Sequence, residues 1–100
     1  MTDTVWDAKI RISLRKSKIR RTVLEYLVSI YPKKAYVAEV ARETDLRPTD
    51  VCGVLNGLSD RFKKENSLVD LGLVKKHEEK DTCLYSATEV GCEISRFLNR

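Results

Sequence analysis

The sequence predicts a mainly helical domain that carries one small β-hairpin, and three patterns in its 100 residues lead to this fold class. Apolar residues recur at helical spacing in several separate stretches, each preceded by a residue that commonly begins a helix. Two short stretches, "LVKKH" and "TCLYS", flank the polar turn "EEKD" as the strands of a hairpin would. The length suits a single domain. We therefore expect a helix, two short helices joined by a tight turn, a hairpin and a last helix.

The first clear helix begins after Ser17, whose side chain is suited to capping it. Lys18, Arg20 and Arg21 lie in its first turn, where the helix dipole disfavours positive charge. Three cations at this end of the helix would be stabilised by an anion from outside the chain, so we expect the turn to face one. Pro32 marks the end of the helix. Its apolar stripe consists of Ile19, Val23, Leu24, Leu27 and Ile30.

Residues 1–16 form an N-terminal extension, for which we expect a helix because Trp6, Ile10 and Leu14 repeat every four residues. Ile10, Ile12 and Leu14 also alternate as a strand would, so a strand remains an alternative. Trp6 either seals the core or anchors a partner chain. Residues 17–100 make up the main domain.

Two short helices are predicted in the stretch "AYVAEVARETDLRPTDVCGVLNGL". Val37, Val40 and Ala41 give the first of them an apolar face. The residue before a proline is disfavoured in a helix, whereas proline fits the first helical position, so the second helix should begin at Pro48. Two short helices around a tight turn form a helix-turn-helix. The buried stripe of the second is expected to contain Val51, Val54, Leu55 and Leu58, with Phe62 continuing it.

The last third of the chain contains two further capping signals. Ser67, with Asp70 three residues later, is typical of a capped turn, and Gly72 should end that turn. Thr88 can cap the last helix. The residues expected to face inward on that helix are Val90, Ile94, Phe97 and Leu98.

Positive charge is concentrated in the N-terminal third of the chain. The net charge is +4, and residues 1–34 contain nine Lys or Arg residues against three acids. This balance suits an anionic partner such as nucleic acid, although it could also simply keep the surface soluble. Because no apolar run is long enough to span a bilayer and no signal peptide is evident, we expect a cytoplasmic protein without a membrane partner.

Metal sites and catalysis find little support in the sequence. Cys52, Cys83 and Cys92 are never spaced as C-x-x-C, so neither a disulfide framework nor a zinc site is expected. Of the three, Cys52 is expected to be exposed. His77 is the only histidine and has no partner at ligand spacing. No nucleophile elbow or phosphate loop is present, so we expect no enzyme, no cofactor and no metal.

The order of these elements resembles the winged helix-turn-helix domain of prokaryotic transcription regulators. "VAEVARETDLRPTDVCGVLNGL" resembles their paired helices, and "LVDLGLVKK" resembles the segment that leads into the wing. "LYSATEVG" resembles their "Y-x-L-T-x-x-G" exit, with Ala87 in place of the usual leucine, and Ser17 with Arg20 resembles their "S-x-x-R" entry. The long connection "LSDRFKKENSLVDLGLV" looks most like that of small archaeal members. The resemblance implies a three-helix core, a hairpin wing and a C-terminal helix.

The resemblance further implies a homodimer on double-stranded DNA, with the helix that begins at Pro48 in the major groove. The N-terminal segment and the last helix would form the dimer. Asn56 could pair with adenine, and Thr49 could contact a phosphate or a thymine methyl. Asp50 could accept from cytosine, cap the helix or simply face water. The exposed face of the helix would contain Thr49, Asp50, Cys52, Gly53 and Asn56, with Arg47 at its edge.

Two departures from the family pattern weaken the case for base contacts. The face of the helix has no arginine or lysine except Arg47, although arginine bound to guanine is the commonest specific contact. The hairpin tip has Glu78, Glu79 and Asp81 against Lys80, where a tip that enters the minor groove usually presents positive charge.

Other cations could hold the phosphate backbone instead of the bases. Arg61, Lys63 and Lys64 follow the helix directly, and Lys75 and Lys76 lie on the first hairpin strand. The alternative for the first three is an exposed amphipathic turn with Phe62 in the core.

Gly53 and Gly57 lie four residues apart in the same helix, and each costs about 1 kcal/mol relative to alanine in a helix interior. DNA backbone that approaches closely, a closely packed helix, or a helix that ends near Gly57 would each explain them.

Two hypotheses for function follow from these observations. The first is a DNA-binding transcriptional regulator that contacts phosphates more than bases. The alternative is a winged-helix protein–protein interaction module that does not bind DNA, since a fold of this kind does not determine its function.

Overall fold

Four helices and three strands follow one another in a computed structural model, which describes Leu14 and residues 17–57 and 67–98. The expectations for Trp6, Ile10, Leu58 and Phe62 fall outside these residues. The helices are α1 (Lys18–Ser29), α2 (Val37–Thr44), α3 (Pro48–Asn56) and α4 (Glu89–Leu98). The strands are β1 (Ala35–Tyr36), β2 (Val74–Glu79) and β3 (Thr82–Ala87).

Local capping determines where three of the helices begin, as the sequence predicted. The Ser17 hydroxyl accepts a hydrogen bond from the Arg20 backbone N–H at 3.0 Å, so α1 begins at the next residue. The Thr88 hydroxyl accepts from the Gly91 N–H at 2.9 Å and caps α4 in the same way. Pro48 occupies the first turn of α3, where its missing N–H costs nothing.

The sheet has three antiparallel strands in the order β1-β3-β2, so β3 is central. Its rows include Ala35, Tyr85 and Lys76, which lie side by side across the three strands. The hairpin was predicted, but β1 was not, because a strand of two residues has no alternation to detect. The described residues thus form a mixed α/β arrangement with a small sheet. The sequence had suggested a mainly helical fold with a lone hairpin, and β1 is the strand that it did not predict.

The core contains the predicted stripes of α1, α2 and α3. Leu24, Val40 and Val54 are fully buried, and Leu73 and Val74 extend the core into the hairpin. Phe97 was expected to face inward, and that expectation is wrong, since its residue surface is 43% exposed. The buried face of α4 instead passes through Gly91, Ile94 and Ser95, and Phe97 lies to the side of this line.

Arg20 also differs from the expectation for the first turn of α1. Lys18 is exposed and Arg21 is half-buried, but Arg20 is buried, with 7% of its surface exposed. Burial lowers the pKa of Arg20 from its ordinary value because the charged guanidinium loses water. Arg20 therefore does not face an external anion. Of the three cations in this turn, Lys18 and Arg21 remain accessible.

The segment that precedes the hairpin is hydrogen-bonded directly to α3. The Leu68 N–H donates to the Val54 carbonyl at 2.9 Å, and the Val69 N–H donates to the Leu55 carbonyl at 3.2 Å. The Ser67 hydroxyl caps the following turn by accepting from the Asp70 N–H, as predicted. These contacts place the hairpin beside α3. Within the described ranges, none of the helices has the length and apolar character needed to cross a membrane.

Candidate nucleic-acid interface

The accessible part of α3 is its first turn. Arg47 is the N-cap residue in extended backbone geometry, and Thr49 is exposed, as the sequence predicted. The helix ends at Asn56, and Gly57 follows in the left-handed conformation with φ 67°. This ending explains Gly57, since glycine adopts that conformation without strain. Of the three explanations for the glycine pair, helix termination therefore applies to Gly57.

Asp50 and Gly53 were expected on the exposed face of α3, and both are buried. The buried side of α3 is wider than the predicted apolar stripe because the helix contacts both α1 and α2. Asp50 is 8% exposed, and its Oδ2 accepts from the Arg47 Nε at 3.3 Å. The carboxylate of Asp50 is thus turned toward Arg47 and the protein rather than toward a ligand of the exposed face.

Asn56 is held by contacts inside the protein. Its Nδ2 lies 2.9 Å from the Tyr85 hydroxyl, 3.3 Å from the Cys52 carbonyl oxygen and 3.6 Å from Cys52 Sγ. The Tyr85 hydroxyl also lies 3.2 Å from Asn56 Oδ1. Tyr85 is 2% exposed, and burial raises the pKa of its hydroxyl while the Asn56 hydrogen bond opposes that rise. The amide that could pair with adenine is therefore already bound to β3.

A groove of about 600 Å³ lies between α3, the start of α2 and the hairpin. Three of the predicted site residues line it: Cys52 and Asn56 from α3, and Lys76 from β2. Tyr36, Cys83 and Tyr85 also line it. We refer to this cavity as the α3–hairpin groove. At this groove, α3 and the hairpin present side chains to a common space.

The hairpin presents lysines and acids together. Lys75, Lys76 and Lys80 are all exposed, and Lys80 sits at the tip with φ 49°. The Lys76 Nζ lies 3.7 Å from a Glu78 carboxylate oxygen. Such exposed ion pairs are weak, so Lys76 remains available to exchange this carboxylate for a phosphate.

Glu79, at the end of β2, forms an ion pair with a lysine at the opposite edge of the sheet. Its carboxylate lies 3.6 Å from the Lys34 Nζ, which precedes β1. Part of the acidic charge that seemed unfavourable for DNA is therefore compensated locally. Arg61, Lys63 and Lys64, the predicted phosphate contacts after α3, lie outside the described residues.

Sequence reasoning missed two aromatic residues of the groove. Tyr36 is 47% exposed at the N-cap position of α2, and its N–H donates to the Glu39 carboxylate at 3.3 Å. The glutamate three residues after Tyr36 is the local signal that could have placed the helix start there. Tyr85 had no such signal, because its partner Asn56 is 29 residues away.

The thiols and the histidine support no metal site in the part of the chain that the structure covers, which contains no group of three or more suitable ligands. Cys52, Cys83 and Cys92 are free and half-buried, so the expectation that Cys52 is exposed is wrong. His77 Nε2 lies 2.8 Å from the Ser86 hydroxyl on the neighbouring strand. Burial lowers the pKa of His77, and the charges of Lys34 and Lys75 lower it further.

Comparison with known proteins gives a family but no activity. A family model described as EarA-like matches residues 10–98, a range that includes every helix and strand described above. An uncharacterized protein of Methanocaldococcus jannaschii is 36% identical over 92 residues, which cover 92% of this chain and 83% of that protein. The archaeal source of this relative agrees with the expected likeness to archaeal proteins, whereas neither match is described as a winged-helix regulator.

Proposed function

This chain belongs to the EarA-like family, and we propose that it is a DNA-binding transcriptional regulator with a winged helix-turn-helix arrangement. In this proposal α2 and α3 form the helix-turn-helix, and β2 with β3 forms the wing. The α3–hairpin groove is the observation that supports it most strongly, because it brings α3 and the exposed Lys76 to one surface. A helix fits the major groove of B-DNA, and an adjacent hairpin can then reach the backbone.

In the proposed complex, α3 makes few base contacts and the affinity comes mainly from phosphates. Thr49 and Arg47 are the accessible polar side chains at the start of α3. Asp50 and Asn56 are occupied by Arg47 and Tyr85, so neither is free to contact bases without giving up an internal bond. The phosphate contacts are assigned to Lys75, Lys76 and Lys80 on the hairpin and to Arg61, Lys63 and Lys64 after α3.

The salt dependence of DNA binding tests this proposal. Fluorescence anisotropy with a labelled duplex from the chain's own genomic neighbourhood, titrated across salt concentrations, should give a dissociation constant that rises steeply with salt. Lys76→Ala should reduce the slope of log affinity against log salt by about one. Lys33→Ala, which removes the same charge from an exposed residue outside the proposed DNA contacts and dimer interface, should leave the slope unchanged. Failure of the wild-type protein to bind any duplex at low salt would refute the proposal.

The three cations after α3 provide a second test that is independent of the hairpin. Replacing Arg61, Lys63 and Lys64 together by alanine should weaken binding to specific and unrelated duplexes to a similar extent, because phosphate contacts contain no sequence information. A variant that lost discrimination between duplexes without losing general affinity would instead indicate base contacts from this segment.

We further propose that the protein is a homodimer formed through residues 1–16 and α4. Phe97 on α4 is 43% exposed, so part of its ring can lie against a second subunit. Sedimentation equilibrium should give twice the mass of 11.5 kDa, and Phe97→Ser should shift the protein toward the monomer. Tyr31→Ser removes another exposed aromatic side chain, which lies outside the proposed interface, and should leave the dimer intact.

The second candidate function is a protein–protein interaction module, and a specific observation favours it. Asp50 and Asn56, two of the polar residues of α3 that could contact bases, are bound internally, and the hairpin tip exposes Glu78, Glu79 and Asp81. Under this alternative, affinity capture from the native extract should recover a stoichiometric protein partner, and the Arg61, Lys63 and Lys64 triple alanine variant should still recover it. DNA binding that the triple variant loses would exclude this alternative as the main function.

A further inference from the structure

Arg42 and Arg47 are the two arginines of α2, α3 and the turn between them, and their ion pairs differ. Their side chains are 72% and 73% exposed, and each contacts a carboxylate through Nε, at 3.6 Å and 3.3 Å. The partner of Arg42 is Glu43, whose side chain is 51% exposed, whereas the partner of Arg47 is Asp50, whose side chain is 11% exposed. The guanidinium of Arg47 is therefore bound to a carboxylate that its own burial holds in place.

The backbone of Arg47 is fixed as well. Its carbonyl oxygen accepts hydrogen bonds from the N–H groups of Asp50 and Val51, both at 3.0 Å. Pro48 follows directly and favours an extended conformation for the residue before it, in agreement with the φ of −74° and the ψ of 141° at Arg47. Because its backbone and its side chain are both held, Arg47 loses little conformational freedom when it binds a ligand.

The contact with Asp50 leaves the far end of the guanidinium available. The hydrogen bond uses Nε, so the N–H groups of Nη1 and Nη2 take no part in it. These two nitrogens form a planar fork that binds two adjacent acceptors at once. In the major groove of DNA, O6 and N7 of guanine are such a pair of acceptors, and they bind arginine more often than any other specific contact occurs.

Arg47 also lies at the end of α3 that can reach base edges. In a helix-turn-helix protein the N-terminal residues of the recognition helix contact the bases. Arg47, Pro48 and Thr49 are exposed, whereas Asp50 and Val51, which follow them, are buried. Arg47 is the one charged side chain among these three exposed residues, so it is the strongest candidate for a base contact at this end of the helix.

We propose that Arg47 contacts one guanine of the bound DNA and that Asp50 is a positioning residue, which orients the guanidinium for this contact. The assignment rests on the proposed function, in which the start of α3 lies in the major groove. Asp50 touches no base and acts through its hydrogen bond with the Arg47 Nε, since a contact is most selective when a second residue holds it in place. The domain therefore prefers guanine at one position of its site.

Selection from a library of duplexes with randomised positions tests the base preference. The wild type should enrich duplexes that share a guanine at one position. Arg47→Gln replaces the guanidinium by an amide, which matches adenine and not guanine, so this preference should disappear. Arg42→Gln removes the same charge from an equally exposed arginine and should enrich the same guanine as the wild type. Enrichment of that guanine by Arg47→Gln would overturn the assignment.

Fluorescence anisotropy with the selected duplex tests the acceptor atom. Replacing the guanine by 7-deazaguanine removes N7 and keeps the base pair. The wild type should then bind about fivefold more weakly, which corresponds to the loss of one hydrogen bond. Arg47→Gln should bind the two duplexes equally, and Arg42→Gln should show the same penalty as the wild type. Equal binding of both duplexes by the wild type would contradict a contact with N7.

The role of Asp50 is tested by the same pair of duplexes. Asp50→Asn keeps the size of the side chain and removes its charge, and circular dichroism verifies the fold. The penalty for 7-deazaguanine should shrink, whereas an unrelated duplex should bind at least as tightly as before, because a negative charge does not help to bind phosphate. Asp50→Glu keeps the charge but displaces the carboxylate, and it provides the same test if Asp50→Asn does not fold. An undiminished penalty in the folded variant would exclude a positioning role.

The outcomes for the wild type separate this assignment from the proposed function. If the wild type binds no duplex at low salt, the proposed function fails, and the assignment of Arg47 fails with it. If the wild type binds duplexes but selection finds no preferred guanine, DNA binding through phosphates stands and the assignment of Arg47 is wrong.

Discussion

Asn56 at the end of α3 and Tyr85 in the central strand β3 share a hydrogen bond of 2.9 Å that connects the helix proposed to enter DNA with the middle of the sheet. The tyrosine hydroxyl lies in a side chain that is 2% exposed, so water cannot easily replace the amide. The bond makes Asn56 part of the internal framework of the domain. It also fixes the position of the Asn56 amide, which contacts Cys52 in the lining of the α3–hairpin groove.

Removing either side chain of the Asn56–Tyr85 hydrogen bond should lower the free energy of unfolding, and the two losses should be similar. Tyr85→Phe leaves the Asn56 amide without its main partner, and we expect the free energy of unfolding to fall by about 1–2 kcal/mol. Asn56→Ala should cost about the same, and the double variant should cost clearly less than the sum of the two, because both changes remove one bond. Urea denaturation of the four proteins measures this cycle. Strictly additive losses would mean that the two side chains act independently.

The capping signals were predictable from the sequence because each depends on residues three or four positions apart. Ser17, Ser67 and Thr88 all accept the backbone hydrogen bond that their position predicted. Asp50 and Asn56 were misjudged because their partners decide their orientation, and a partner in another element, such as Tyr85, leaves no local trace. Helical periodicity predicts which side of α3 is apolar, but it cannot show how many neighbouring helices share that side.

The Thr88 and Gly91 pair shows how a sequence motif can be explained by structure. Both belong to the "T-x-x-G" part of the resemblance, in which the sequence alone explains Thr88 as a helix cap but offers no reason for Gly91. In the structure, the Gly91 N–H donates to the Thr88 hydroxyl, and a Cβ on Gly91 would collide with the Leu73 carbonyl oxygen. The close packing of α4 on the start of the hairpin therefore requires glycine at this position.

Gly91→Ala should be strongly destabilising for this reason. The added methyl group meets a backbone atom rather than a flexible side chain, so α4 must shift, and we expect a loss of about 3 kcal/mol. Glu93→Ala changes an exposed residue of the same helix and should alter stability by less than about 0.5 kcal/mol. Thermal or urea unfolding of the two variants gives the comparison. Equal stability of Gly91→Ala and the wild type would show that α4 does not pack as described.

Thr88 should contribute through its hydroxyl and not through its methyl group. The hydroxyl caps α4 and donates to the Gly72 carbonyl at 2.8 Å. Thr88→Val keeps the shape of the side chain and removes both bonds, and we expect it to lower the free energy of unfolding by about 1–2 kcal/mol. Thr88→Ser keeps the hydroxyl and should recover most of this difference. If Thr88→Ser were destabilising and Thr88→Val were not, β-branching and not capping would explain the residue.

Alkaline pH should weaken the fold through Tyr85. Burial raises the pKa of its hydroxyl above the ordinary value of 10.0. At pH values below 10 the hydroxyl is neutral in both folded and unfolded chains, and above it the unfolded chain ionises first, so stability falls as pH rises. The free energy of unfolding measured from pH 8 upward should therefore decline less steeply in Tyr85→Phe than in the wild type. Parallel curves would exclude Tyr85 as the source of the alkaline loss.

His77 should titrate below its ordinary pKa of 6.5, first because it is partly removed from water and second because the positive charges of Lys34 and Lys75 disfavour its protonated form. The unfolded chain then takes up its proton first as pH falls below 6.5, so the stability contributed above that pH declines toward acid. Because His77 is the only histidine, its ring proton can be followed by NMR without assignment of other residues. Lys34→Gln should move the midpoint upward, both by removing a positive charge and by releasing Glu79 from its pair with Lys34. Lys33→Gln removes the same charge one residue earlier and should move the midpoint less. Equal shifts in the two variants would mean that His77 responds to the overall charge of the domain and not to Lys34 in particular.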